Sequence, residues 1–150
     1  MHIRRIAYFA VASVIVTAIS TAAVAMDNKV VQKGGPDLTK ARALIKSKNW
    51  QAAVGELNRL TGKGPNADVY NLLGFSLRKQ GKFEASFDYY GKALKLDPKH
   101  LSAHEYLGEL HIQKGEIDKA KEQAAILAKL CPDGCEERED LDKALAAVTK

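Results

Sequence analysis

The chain has 150 residues, 46% apolar and 27% charged, which suits one folded domain with a modest core and shows no low-complexity class. Beyond residue 25 there are 21 basic and 18 acidic residues, a balance too even for a nucleic-acid-binding surface. The sign is unevenly spread: residues 26–100 hold 14 basic and 7 acidic residues, and residues 101–150 hold 7 and 11. Such a bipolar layout can steer and orient a partner.

In chain order, the first segment is "MHIRRIAYFAVASVIVTAISTAAVAM", with Arg4 and Arg5 followed by no charge from Ile6 to Met26. A basic start, an apolar middle and the A-x-A run Ala23–Ala25 form a secretory signal pattern, so residues 1–25 are expected to be a signal peptide. The expected address is exported, in a bacterium the periplasm, with no membrane insertion after cleavage. The competing expectation is a retained N-terminal anchor, because the same 21 uncharged residues could just span a bilayer. Residues 26–36, with "KGGP", read as a flexible lead-in.

The remainder repeats itself. Gly74 and Gly108, Gly81 and Gly115, Phe83 and Ile117, and Pro98 and Pro132 are each 34 residues apart. Residues 67–100 and 101–134 are two copies, and "NWQAAVGELNRLTGKGP" is a weaker copy inside residues 37–66, aligning Trp50 with Phe83 and Pro65 with Pro98. A 34-residue period with Tyr70, Leu73, Gly74, Leu77, Gly81, Phe83, Ser86, Tyr90, Ala93 and Pro98 resembles the tetratricopeptide repeat. The resemblance covers about residues 36–134. It implies an all-α fold, a TPR-like α-α superhelix of about three helical hairpins, with residues 135–150 as a capping helix.

Helices are accordingly expected near 37–47, 50–61, 67–80, 83–95, 101–114, 117–130 and 136–148. Gly74 and Gly108 should remove bulk where the first helix of a hairpin crosses the second, and Ala53, Ser86 and Ala120 should do so on the facing helix. Gly81 and Gly115 can take positive φ and reverse the chain, whereas the first copy has Lys48 at that turn. Pro65, Pro98 and Pro132 stop the second helices. Asn66 and Asp68 stand where a cap is wanted. In the last helix, acidic residues crowd the first turn, and Leu141, Leu145 and Val148 form a thin apolar stripe.

Cys131 and Cys135 flank the turn Pro132-Asp133-Gly134. Three intervening residues and Glu136 in place of His exclude c-type haem attachment. A disulfide pinning the cap to the last repeat fits the spacing and an oxidising compartment best. A metal or redox role for the cysteines with His100, His104 and His111 stays open as the alternative, although His104 and His111 fall at repeat positions that favour packing.

No nucleophile motif, phosphate-cradling loop or H-E-x-x-H stands in the sequence, so no catalytic residue, resident metal or cofactor is expected. The resemblance instead implies a non-catalytic scaffold that binds a protein or peptide partner. Its first helices line a concave groove, and the matching positions here are Arg42, Ile45, Asn71, Phe75, Arg78, Glu105, Glu109 and Ile112. Phe75 is the expected anchor. In the subfamily that clamps a terminal carboxylate, the last repeat supplies a basic pair; this chain has Ser102 and Tyr106 there.

Overall fold

The computed structural model describes residues 35–149, and within them seven helices. The expected signal peptide and most of the lead-in lie outside the described residues. The helices are α1 (Thr39–Lys46), α2 (Trp50–Thr61), α3 (Ala67–Lys79), α4 (Phe83–Leu96), α5 (Leu101–Gln113), α6 (Ile117–Leu130) and α7 (Glu136–Val148). Each packs on its neighbours in sequence, and α5 also packs on α3 and α7. Among the described residues no helix is long and apolar enough to cross a membrane.

Local chemistry accounts for the helix ends. The Asn49 and Asn66 side chains accept the Ala52 and Val69 amides at 3.3 and 3.0 Å, satisfying donors that a helix start leaves open. Asp68, expected as a cap, is the second residue of α3, in its first turn, and meets His100 Nε2 at 3.2 Å instead. The other His100 nitrogen caps α5, accepting the Ala103 amide at 3.2 Å. Both hairpin turns with glycine use positive φ, +73° at Gly81 and +76° at Gly115. Lys48 keeps the same turn at φ +57° despite its side chain.

Two apolar clusters hold the stack. Ala41, Leu57, Leu60, Val69 and Leu73 join α1, α2 and α3; Ala120, Leu127, Leu141 and Leu145 join α6 to α7. At the α3–α4 crossing, a Cβ on Gly74 would stand 2.6 Å from the fully buried Tyr90 ring. Ser86 does more than make room: its hydroxyl donates to the Gly74 carbonyl at 2.7 Å.

Two expectations need correction. Gly108 makes room for α7, not for its own hairpin partner: a Cβ there would meet Leu141 at 2.6 Å. The third repeat has Ala124 where the second has Tyr90, so α6 lacks the bulk and the cap supplies it. Val148 does not complete the apolar stripe of α7; it is 50% exposed at the end of the helix, while Leu141 and Leu145 are buried.

Candidate peptide-binding groove

The first helices of the three hairpins converge on one cleft of about 240 Å³. Arg42, Ile45 and Lys46 come from α1, Asp68, Asn71 and Leu72 from α3, and Ser102 and Tyr106 from α5, with His100 at the α5 start. Side chains four residues apart share a helix face, so Phe75 follows Asn71 along the same side of α3. Phe75 is half-buried, edge-on to Trp50 at 6.0 Å between ring centres and tilted against Tyr106 at 4.8 Å. Asn71 is buried beside it, and its Oδ1 has no hydrogen-bond partner among the described residues.

Of the expected groove residues Arg42, Ile45 and Asn71 line this cleft, Phe75 lies beside it without lining it, and the other four lie in two smaller hollows. Arg78, Glu109 and Ile112 line one of about 170 Å³, together with Ala144 of α7. Glu105 lines another of about 180 Å³, which shares Ser102 and Tyr106 with the main cleft. Arg42 is exposed and Ile45 half-buried, as a contact surface requires. Arg78 is different: it is 4% exposed, bonded to Glu109 of the next repeat, with its guanidinium over the Phe75 and Tyr106 rings at 5.5 and 5.8 Å. It braces the groove wall and holds the aromatic pair from below.

Electrostatics differ along the groove. The α1 end offers Arg42 and Lys46. At the α5–α7 end, burial pushes the Glu105 carboxyl up to about 8, helped by Glu109, Asp140 and Glu137 and opposed by Arg78. Burial likewise pushes the Tyr106 hydroxyl up to about 12.

Tyr106 was not among the groove residues expected from the sequence. Its position was noted only for lacking a basic residue, yet it touches Phe75, Tyr90 and Arg78 and lines two hollows. A period-34 comparison of Tyr106 with Leu72, which lines the same cleft, would have found it.

Cys131 and Cys135 are joined, with Cα atoms 6.0 Å apart, within the span a disulfide needs. The histidines do not converge on them. His100 caps α5, His104 bonds Gln123 at 2.8 Å and the Pro98 carbonyl at 3.0 Å, and His111 bonds Glu116 at 2.7 Å. Among the described residues no three His, Cys, Asp or Glu side chains are grouped as a metal ion would need. His104 and His111 are buried, as their repeat positions suggested.

Residues 67–100 match the family profile of the tetratricopeptide repeat. The helical stack around them is similar to the tetratricopeptide-repeat domain of Arabidopsis OM64, at 21% identity and a TM-score of 0.65, over 72% of this chain and 89% of that one. The described residues have the tetratricopeptide-repeat fold.

Two further solved structures share its fold. The first tetratricopeptide-repeat domain of Spaghetti (RPAP3), bound to the HSP90 peptide SRMEEVD, is 17% identical with a TM-score of 0.64, over 74% of this chain and 89% of its own. PcrH, in complex with the chaperone-binding region of PopD, is 17% identical with a TM-score of 0.62, over 73% of this chain and 83% of its own. No curated protein sequence matches this chain.

Proposed function

We propose that this chain is a non-catalytic tetratricopeptide-repeat scaffold whose groove binds an extended segment or helix of another protein, in the bacterial periplasm. One observation carries the reading: a single cleft is lined by the first helices of all three hairpins, with the half-buried Phe75 ring packed on Tyr106 of its lining. A half-buried aromatic set on rigid helices loses little further side-chain freedom when a partner covers it, and such residues dominate binding energy. Asn71 adds a buried amide oxygen without a partner, a group that the fold alone does not satisfy. The two fold relatives described above hold a peptide and a protein segment. Ser102 and Tyr106 in place of a basic pair argue against a ligand held by a terminal carboxylate. The basic, apolar and A-x-A pattern of residues 1–25 supports the exported address.

The test is a peptide-array and crosslinking screen against the full chain, followed by Phe75→Ala combined with Arg42→Ala. Arg78 is left intact because its removal would strand Glu109 and loosen the wall. Truncating an aromatic anchor costs about 2 kcal/mol or more, roughly a 30-fold loss of affinity. Binding that survives the double substitution, with helicity intact, rejects the groove.

A further inference from the structure

We propose that the acidic pocket between α5 and α7 receives one lysine or arginine side chain from the segment bound in the groove. The inference rests on the groove reading and adds the chemistry of the partner.

The pocket is lined by Ser102, Glu105, Tyr106, Glu136, Glu137 and Asp140, with a volume of about 180 Å³. No basic side chain lines it. Ser102 donates its hydroxyl to Glu137 at 3.0 Å, and Asp140 meets Lys143 only at 3.7 Å on the outer side of the cap. Glu105 is the decisive group. Its residue is 8% exposed and no described group bonds its carboxyl, whose oxygens are not sealed off and line the pocket. A carboxyl buried to that extent is ordinarily paired.

The surroundings define what could pair with it. Glu109 faces Glu105 from α5, Glu137 and Asp140 face it from α7, and Arg78 faces it from α3 but is already committed to Glu109. In the free protein the mutual repulsion is relieved by a proton on Glu105, whose carboxyl is held up to about 8. An ammonium or guanidinium entering from the groove would take that proton's place and satisfy the ring of carboxylates together. The volume holds roughly six waters' worth of space, room for one long side chain and not for a helix. Its apolar stem would lie along the Tyr106 ring while its head reaches Glu105. The pocket shares Ser102 and Tyr106 with the main cleft, so an occupant of one is within side-chain reach of the other. A divalent ion fits less well, since no three ligating side chains are grouped for it among the described residues.

The experiment titrates the isotopically labelled full chain with Nα-acetyl-lysine methylamide and, separately, with its norleucine counterpart, following backbone amide shifts. The lysine probe should shift the amides of Ser102, Glu105, Tyr106 and Glu137; the norleucine probe should not. Affinity for the lysine probe should rise severalfold between pH 6 and pH 8, with proton release, and should be lost in Glu105→Gln. Asp140→Asn should weaken it without moving amides elsewhere, which covers the case of a Gln variant that folds poorly. Equal shifts with both probes, shifts confined elsewhere, or unchanged binding in both variants would overturn the proposal. Groove peptides that depend on Phe75 while the lysine probe is silent would overturn the pocket alone and leave the groove standing. A lysine response with no groove peptide found would overturn the groove, and with it the assignment of the cation to a bound segment.

Discussion

Four glycines inside helices separate packing from propensity. Gly55 and Gly91 have nothing within 4 Å of where a Cβ would stand, whereas Gly74 meets Tyr90 and Gly108 meets Leu141, each at 2.6 Å. Alanine at any helix interior gains about 0.8–1 kcal/mol over glycine. At Gly74 that gain is opposed by overpacking, which costs about 1–3 kcal/mol in a filled core. The Tyr90 ring cannot yield, because it is fully buried against Gly74 on one side and Tyr106 on the other. The expected result is that Gly55→Ala and Gly91→Ala stabilise by about 0.8 kcal/mol. Gly74→Ala should destabilise by about 1 kcal/mol net, lowering Tm by roughly 3–5 °C. Tyr90→Leu in the same chain should recover much of that loss, giving a coupling energy of about 1–2 kcal/mol in a double-mutant cycle. Urea unfolding followed by circular dichroism reads all of these. If all four Gly→Ala variants stabilise alike, the crossing is not close-packed and the account of Gly74 fails.

Four further outcomes follow from the same geometry. The Cys131–Cys135 bond closes a very short loop, so reducing it should cost about 2 kcal/mol, with hydrogen exchange in α7 rising first; an unchanged Tm and unchanged α7 protection would show that the bond pins nothing. With the Glu105 carboxyl raised from 4.5 to about 8, the folded chain holds a proton that the unfolded chain releases. Stability should therefore fall as pH rises through that window and level off above it, and Glu105→Gln should flatten the slope. Glu56 works in the opposite sense: hydrogen bonds from Arg59 and Lys40 hold its carboxyl down at about 2, so its contribution is present above 4.5 and lost as pH falls toward 2. Glu56→Gln should remove that acid-side slope in a pH series of urea midpoints. Finally, Lys48→Gly should stabilise by about 1 kcal/mol, because glycine takes the left-handed turn at φ +57° without the Cβ penalty.

The helices were legible in the sequence because their limits are set locally. Asn49 and Asn66 cap, Gly81 and Gly115 reverse the chain, and the expected helix bounds agree with the observed ones within two residues at most ends. The 34-residue period added which helices pair, since each hairpin repeats the same contacts. What the period could not supply is any contact that crosses from one repeat into a different kind of neighbour. Leu141 entering the space over Gly108 is one such contact, and Arg78 reaching Glu109 is another. Arg78 matched a groove position by repeat register alone, but register does not say whether a charge in the following repeat will draw the side chain inward.

The same reasoning explains why the α5 face was only half legible. Along α3, a helix of the same type follows, so register places Asn71 and Phe75 on the groove side. Along α5 the next helix is α7, which opens with Glu136, Glu137, Glu139 and Asp140. Those acids suit the helix N-terminus on their own account, and that local role hid their second consequence. Folded against α5, Glu137 and Asp140 face Glu105 and turn a repeat-type groove position into one wall of an acidic pocket. A cap that only shielded apolar surface would need Leu141 and Leu145 and no more. Carboxylates crowding a largely buried carboxyl raise the free energy of its charged form; Arg78 offsets part of that cost, and a proton or an added cation would offset more. The end of the solenoid therefore differs in kind from its middle: the middle offers an aromatic surface, and the end offers an acidic pocket that would orient a segment bound as proposed.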